Sequence, residues 1–110
     1  MTTIVPPRSE IAREHTWDTE SVYSSEGVWA DGMRELSERL KGITAYQGRL
    51  GDGPAVLAEW LEQYQALVRQ VGRLYVYAGM HQSVDTADQA AQAKVDQMLG
   101  LYGRTLAAMA

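Results

Sequence analysis

Residues 54–81 read PAVLAEWLEQYQALVRQVGRLYVYAGMH, and this stretch decides the fold. With Leu57 at position a of a heptad, positions a, d and e hold Leu57, Trp60, Leu61, Tyr64, Leu67, Val68, Val71, Leu74, Tyr75 and Ala78, with no charge among them. Apolar residues three and four apart share one side of an α-helix. A stripe filled at three heptad positions is wider than a coiled-coil seam, so this helix should touch at least two neighbouring elements. Pro54 suits the first helical position, where no intrahelical N–H bond is lost. At 1.5 Å per residue the helix is roughly 40 Å long, which fits a long hairpin or an elongated bundle.

Working upstream, Gly51-Asp52-Gly53 before Pro54 marks a break. Ahead of it, Trp29, Met33, Leu36 and Leu40 form a second stripe. It opens after Ser24 or Ser25, either of which can accept a bond from an unpaired N–H of the first turn, and it is expected to end at Gly42. Glu35 stands four residues before Arg39, a helical pairing worth about 0.3 kcal/mol. Residues 43–50 either extend this helix or connect it to the next. Downstream, residues 82–86 break the periodicity. Thr86 with Gln89 can form a capping box, and Asp85 and Asp88 place negative charge where a new helix begins. A third stripe follows at Ala91, Val95, Met98, Leu99, Tyr102, Leu106 and Met109, running to Ala110.

The expected fold is therefore all-α, with helices over about 26–42, 54–81 and 87–110. The short second connection makes the last two a long antiparallel hairpin. Residues 1–25 read as a flexible lead-in followed by an irregular segment anchored by Trp17, Val22 and Tyr23, with Trp17 expected to pack rather than to stack on a ligand. Gly72, Gly79, Gly100 and Gly103 lie inside helical patterns, each about 1 kcal/mol worse than Ala there. Close approach of another helix is the expected reason. The apolar face of the third helix also calls for a cover that these residues do not supply: more of a larger helical protein, or another copy of the chain.

Composition narrows the function. The 110 residues allow one domain, 45% hydrophobic and 22% charged, within the ordinary globular range. Ten basic residues against 14 acidic ones leave a net charge of −4, and the arginines are scattered, so neither nucleic acid nor an anionic membrane is an expected partner. With no cysteine there is no disulfide, thiol nucleophile or cysteine-held zinc. The first eight residues lack a signal-peptide core, and no apolar run approaches the roughly 20 residues of a membrane span. A cytoplasmic location is expected.

Chemistry is sparse. His15 and His81 are the two histidines, and neither belongs to an H-E-x-x-H pair. His81, Asp85 and Asp88 would share a face of one continuous helix, but the break between them spoils a metal site, which leaves His81 as an exposed helix-end residue. The serines lack a histidine–acid partner, and Gly51-x-Gly53 is too short for a phosphate loop. No catalytic, cofactor-binding or metal-binding residue is assigned. Tyr64 and Tyr75 belong to the stripe and are expected in the core. Tyr77 lies off it and is the candidate for peptide contact.

Family likeness adds what spacing cannot. Pro7-Arg8-Ser9-Glu10-Ile11 leads into Thr16-Trp17-Asp18-Thr19-Glu20-Ser21-Val22-Tyr23, followed by the helix near Trp29. Then come Tyr46-Gln47-Gly48-Arg49-Leu50-Gly51, Leu74-Tyr75-Val76-Tyr77-Ala78 and Asp85-Thr86. In this order the phrases resemble the N-terminal region of oligoendopeptidase F, a zinc metallopeptidase family related to thimet oligopeptidase. The resemblance spans about Pro7 to Ala110. It implies a helical segment in the wall of a channel that admits short peptides, joined to the remainder of a full-length chain that carries the zinc, the general-base glutamate and the hydrolase activity. No residue here matches those groups, so this chain alone is expected to be inactive. The alternative is a free-standing helical module that binds a partner helix. Under either reading the isolated 110 residues should self-associate through the second and third helices. Light scattering should then report a mass above the 12.2 kDa of one chain, and a clean monomer at high concentration would count against it.

Overall fold

The computed structural model describes residues 5–110, so residues 1–4 of the expected lead-in lie outside the described part. Three helices carry the fold: α1 (Glu26–Thr44), α2 (Pro54–Val84) and α3 (Gln89–Met109). The segment expected to be irregular contains three single 3-10 turns, at Arg8–Glu10, Arg13–His15 and Thr19–Ser21. Among the described residues there is no strand, and the fold is all-α.

Local chemistry sets the boundaries. Ser25 caps α1, its hydroxyl accepting from the N–H of Val28 at 3.2 Å. The helix runs two residues past Gly42, because that glycine keeps a right-handed conformation and interrupts nothing. The chain turns instead through Gly48 (φ 75°) and Gly53 (φ 150°), conformations that a Cβ disfavours. α2 continues three residues beyond His81, to Val84. The cap of α3 is Asp88 rather than Thr86. Its Oδ1 accepts from the N–H groups of Ala90 (2.9 Å) and Ala91 (3.2 Å), and the helix starts at Gln89. A carboxylate immediately before the first turn satisfies two unpaired donors and meets the positive helix end, which leaves the box from Thr86 no role.

The three helices pack against one another as a rod of 65 × 24 × 23 Å. Ile43, Tyr46 and Trp60 share a surface with Met109 and Ala110, so the end of α3 lies beside the start of α2, as an antiparallel hairpin requires. The core takes Trp29, Leu36, Leu40 and Ile43 from α1, Leu67, Val71, Leu74, Tyr77 and Ala78 from α2, and Met98 and Leu101 from α3. At its centre the indole N–H of Trp29 donates to the backbone oxygen of Leu74 at 3.0 Å, with the bond buried. Gly32, one turn along α1, sits under the same leucine. A Cβ there would lie 3.1 Å from Leu74 Cδ2 and 3.4 Å from the Tyr23 hydroxyl. Buried Thr105 returns its hydroxyl to the Leu101 carbonyl at 2.8 Å, so it leaves no polar group unpaired.

The wide stripe of α2 is split. Leu67, Val71, Leu74 and Ala78 are buried, whereas Leu57, Leu61, Tyr64, Val68 and Tyr75 are exposed. Two neighbours, α1 and α3, cover only part of a face that the sequence made apolar throughout. The expectation that Tyr64 and Tyr75 are core residues is corrected on this ground. In α3 likewise Leu101 and Thr105 are buried, and Leu99, Tyr102 and Leu106 face outward. Trp17 is 53% exposed and so packs only partially, while Val22 and Tyr23 do rest on the core. Added Cβ atoms at Gly72, Gly79, Gly100 and Gly103 would meet nothing within 4 Å, so no helix of this chain approaches them closely. Among the described residues no helix is long and apolar enough to cross a membrane.

These glycines make the packing testable. Gly72→Ala should raise unfolding stability by about 0.8–1 kcal/mol, since it restricts the unfolded chain and meets no neighbour. Gly32→Ala should fall short of that gain by at least ~1 kcal/mol, because fully buried Leu74 has little room to yield. Urea melts of the two variants beside the parent check both.

Candidate functional site

Side chains of α1 and α2 that point away from the core leave a groove between the helices, with a volume of about 460 Å³. Arg39, Arg69 and Arg73 line it together with Gln70, Asp31 and Glu35. Arg39 Nη1 donates to Gln70 Oε1 at 2.6 Å, and Gln70 Nε2 donates to the Gly32 carbonyl at 3.2 Å. Arg73 Nη2 donates to the Val22 carbonyl at 2.6 Å while its guanidinium lies 5.1 Å from the centre of the Tyr23 ring. Arg73 therefore pins the segment before α1 onto α2. The Glu35–Arg39 pair expected from spacing does not form, because Gln70 takes the arginine instead. Asp31 pairs with Arg34.

Sequence reasoning missed this gathering, since Arg39 lies 30 residues from Arg69 along the chain. The one available signal was the i, i+4 spacing of Arg69 and Arg73. A guanidinium carries five donors, and each of the two anchored ones spends a single bond on structure, so the groove can offer donors to a carboxylate or a peptide carbonyl. Its lining pairs these donors with the carboxylates of Asp31 and Glu35.

Tyr77, the candidate for peptide contact, is a core residue, only 3% exposed. Its ring stacks on Trp29 at 6.3 Å and meets Tyr23 edge-on at 5.6 Å. α1 crosses at the d edge of the stripe, on Leu74, and reaches beyond it, so Trp29 and Tyr23 bury Tyr77 there. Burial raises the pKa of its hydroxyl, with the charges of Glu26 and Glu20 adding to the effect. His81 is not the exposed end residue expected. It sits within α2, 4.6 Å from the Tyr77 ring, with Nε2 enclosed and without a hydrogen-bond partner among the described residues. Desolvation lowers its pKa, and the positive charges of Lys94 and Arg8 lower it further, against the opposing pull of Glu26 and Glu20. Asp85 and Asp88 spend their carboxylates on the turn, on the N–H of Ala87 and of Ala90 and Ala91. Among the described residues no three His, Asp or Glu side chains converge to hold a metal.

Over 106 residues the chain is 31% identical to the oligopeptidase PepF of Bacillus subtilis (strain 168), covering 96% of this chain and 16% of that protein. It is 29% identical over 101 residues to the group B oligopeptidase PepB of Streptococcus agalactiae serotype III (strain NEM316), covering 89% of this chain and 17% of that one. To the oligoendopeptidase F homolog of Lactococcus lactis subsp. lactis (strain IL1403) it is 28% identical over 96 residues, covering 86% and 16%. The chain is a relative of oligoendopeptidase F. It spans about one-sixth of the length of the curated relatives it matches. No family model matches it, and no solved structure does. The oligoendopeptidase F likeness covers all three helices and the arginine groove, and it brings no metal-ligating cluster to the described residues.

His81 gives the fold a pH dependence. Its folded pKa lies below its ordinary value of 6.5, so on acidification the unfolded chain takes up the proton first. Stability is complete above pH 6.5 and falls as the pH drops from there toward the folded pKa. The thermal midpoint of the parent should decline between pH 7 and pH 5, and His81→Phe should flatten that slope. His15 stays in both proteins, so the difference reports on His81. Parallel slopes would refute this.

Proposed function

We propose that this chain is a helical, non-catalytic wall segment, N-terminal in position, of an oligoendopeptidase-F-like zinc metalloendopeptidase that hydrolyses short peptides in the cytoplasm. The observation that carries the reading is the identity of 31% with oligopeptidase PepF, sustained over 96% of this chain but only 16% of that protein. The all-α fold and its elongated shape support it. A wall segment needs stiff elements set by packing rather than by chemistry, and the three helices provide that.

Zinc does not fit the donors present. The two histidines are 66 positions apart, and His81 faces the Tyr77 ring with no carboxylate bonded to it. In this reading the metal, its general base and the cleavage step belong to the five-sixths of the enzyme that lies outside the match. What this chain contributes is shape, and in the α1–α2 groove a set of arginine donors.

The 110 residues expressed alone should leave a quenched fluorescent peptide intact and retain no zinc after dialysis. The complete product of the gene should cleave it in a chelator-sensitive way. Chelator-sensitive hydrolysis by the short chain would overturn the proposal, as would a reading frame that closes after Ala110 with no H-E-x-x-H beyond. The closed frame would favour the free-standing interaction module, which the outward apolar residues of α2 and α3 also suit.

A further inference from the structure

The outward side of the α2–α3 hairpin is apolar along most of its length. Leu61, Tyr64, Val68 and Tyr75 lie on α2, and Leu99, Tyr102 and Leu106 on α3, each 37–50% exposed. At about 100° per residue they lie a quarter-turn or more round from Ala66, Gln70 and Arg73 of α2 and from Gln97, Leu101 and Arg104 of α3, which line the grooves with α1, and so on the side away from α1. The two stripes flank one seam, closed at the hairpin end by Gln82 and Gln92, whose amides meet at 3.4 Å. With roughly 200 Å² available per large side chain, the patch amounts to on the order of 600 Å². A monomer rarely exposes that much in one place, and it is close to the ~800 Å² that one partner contributes to a standard interface.

Glycines mark the same side. Gly72 follows Val68 by four residues, Gly79 follows Tyr75 by four, and Gly103 stands between Leu99 and Leu106. All three weaken their helices, and added Cβ atoms would meet nothing. Inside this chain they have no purpose. Where another backbone must lie close, glycine is the residue that admits it. No charged residue occupies these stripe positions, so the cover is apolar and neither an acidic peptide nor a nucleic acid fits.

We infer that this face seats an amphipathic helix from the part of the oligoendopeptidase F fold that has no counterpart here, laid along the α2–α3 seam with large side chains over Gly72, Gly79 and Gly103. The length of the relatives, about six times this chain, says where such a helix comes from. The inference rests on the proposed function and adds to it an orientation: the hairpin is the buried side of the segment, and the arginine groove is the open one.

A chimera tests it, in which this chain replaces the matching sixth of the Bacillus subtilis oligopeptidase, in a background cleared of other cysteines. Val68→Cys and Leu106→Cys should react with a maleimide at least roughly tenfold more slowly in the chimera than in the isolated 110 residues diluted until light scattering reports a monomer, as expected of a site that reacts only on opening. Glu38→Cys on α1 should react at the same rate in both. Gly72→Ala, favourable in the isolated chain, should lower the thermal midpoint of the chimera. If the chimera cleaves peptide while the thiols introduced at positions 68 and 106 stay fully reactive, the inference falls and the function stands. Protection seen only in a dimer by light scattering gives the face to a second copy and also overturns it. A chimera that neither folds nor cleaves, where the native enzyme does both, sinks the proposed function and the inference with it.

Discussion

The crossing of α1 over α2 at Trp29, Gly32 and Leu74 is the constraint on which the rest of the structure depends. A helix carbonyl already bound within its own helix accepts a second bond from the Trp29 indole, and that bond is buried. It fixes both the rotation and the height of α1 on α2. Gly32 then lets Leu74 press against the helix backbone, at a distance that a Cβ would reduce to 3.1 Å. With the two helices locked there, Tyr77 is carried between Trp29 and Tyr23, and Gln70 reaches the Gly32 carbonyl.

Two consequences spread from this crossing. On one side the polar residues of α1 and α2 are drawn together, which assembles Arg39, Arg69 and Arg73 around a groove. On the other side α3 closes the core through Met98 and Leu101 but covers only one edge of the stripe on α2. A three-helix rod has a narrow core, and a helix apolar over three heptad positions has more face than two neighbours can hide. The surplus is what remains outward on the hairpin.

The chemistry follows the same geometry. His81 is set beside Tyr77, its Nε2 has no hydrogen-bond partner among the described residues, and burial together with the charges of Lys94 and Arg8 lowers its pKa. Lys94 pairs with Glu26, which ties α3 to the first turn of α1 near the same place. These contacts stabilise one end of the rod.

By itself the sequence determined the number of helices, their order and, to within a few residues, where the chain turns. Period 3.6, the serine cap, the Gly51-Asp52-Gly53 break and Pro54 are local signals, and each acts within a few residues of itself. It also determined that α2 is wider in its apolar face than a simple hairpin needs. Only the tertiary structure decided which part of that face is buried, because Leu67 and Val68, or Leu74 and Tyr75, are equally apolar and differ only in which way the crossing turns them. It decided equally that Tyr77 is core, that Asp88 outcompetes Thr86 as a cap, and that arginines 30 residues apart share a groove. Those outcomes depend on the rotation of one helix against another, a quantity that no local pattern carries.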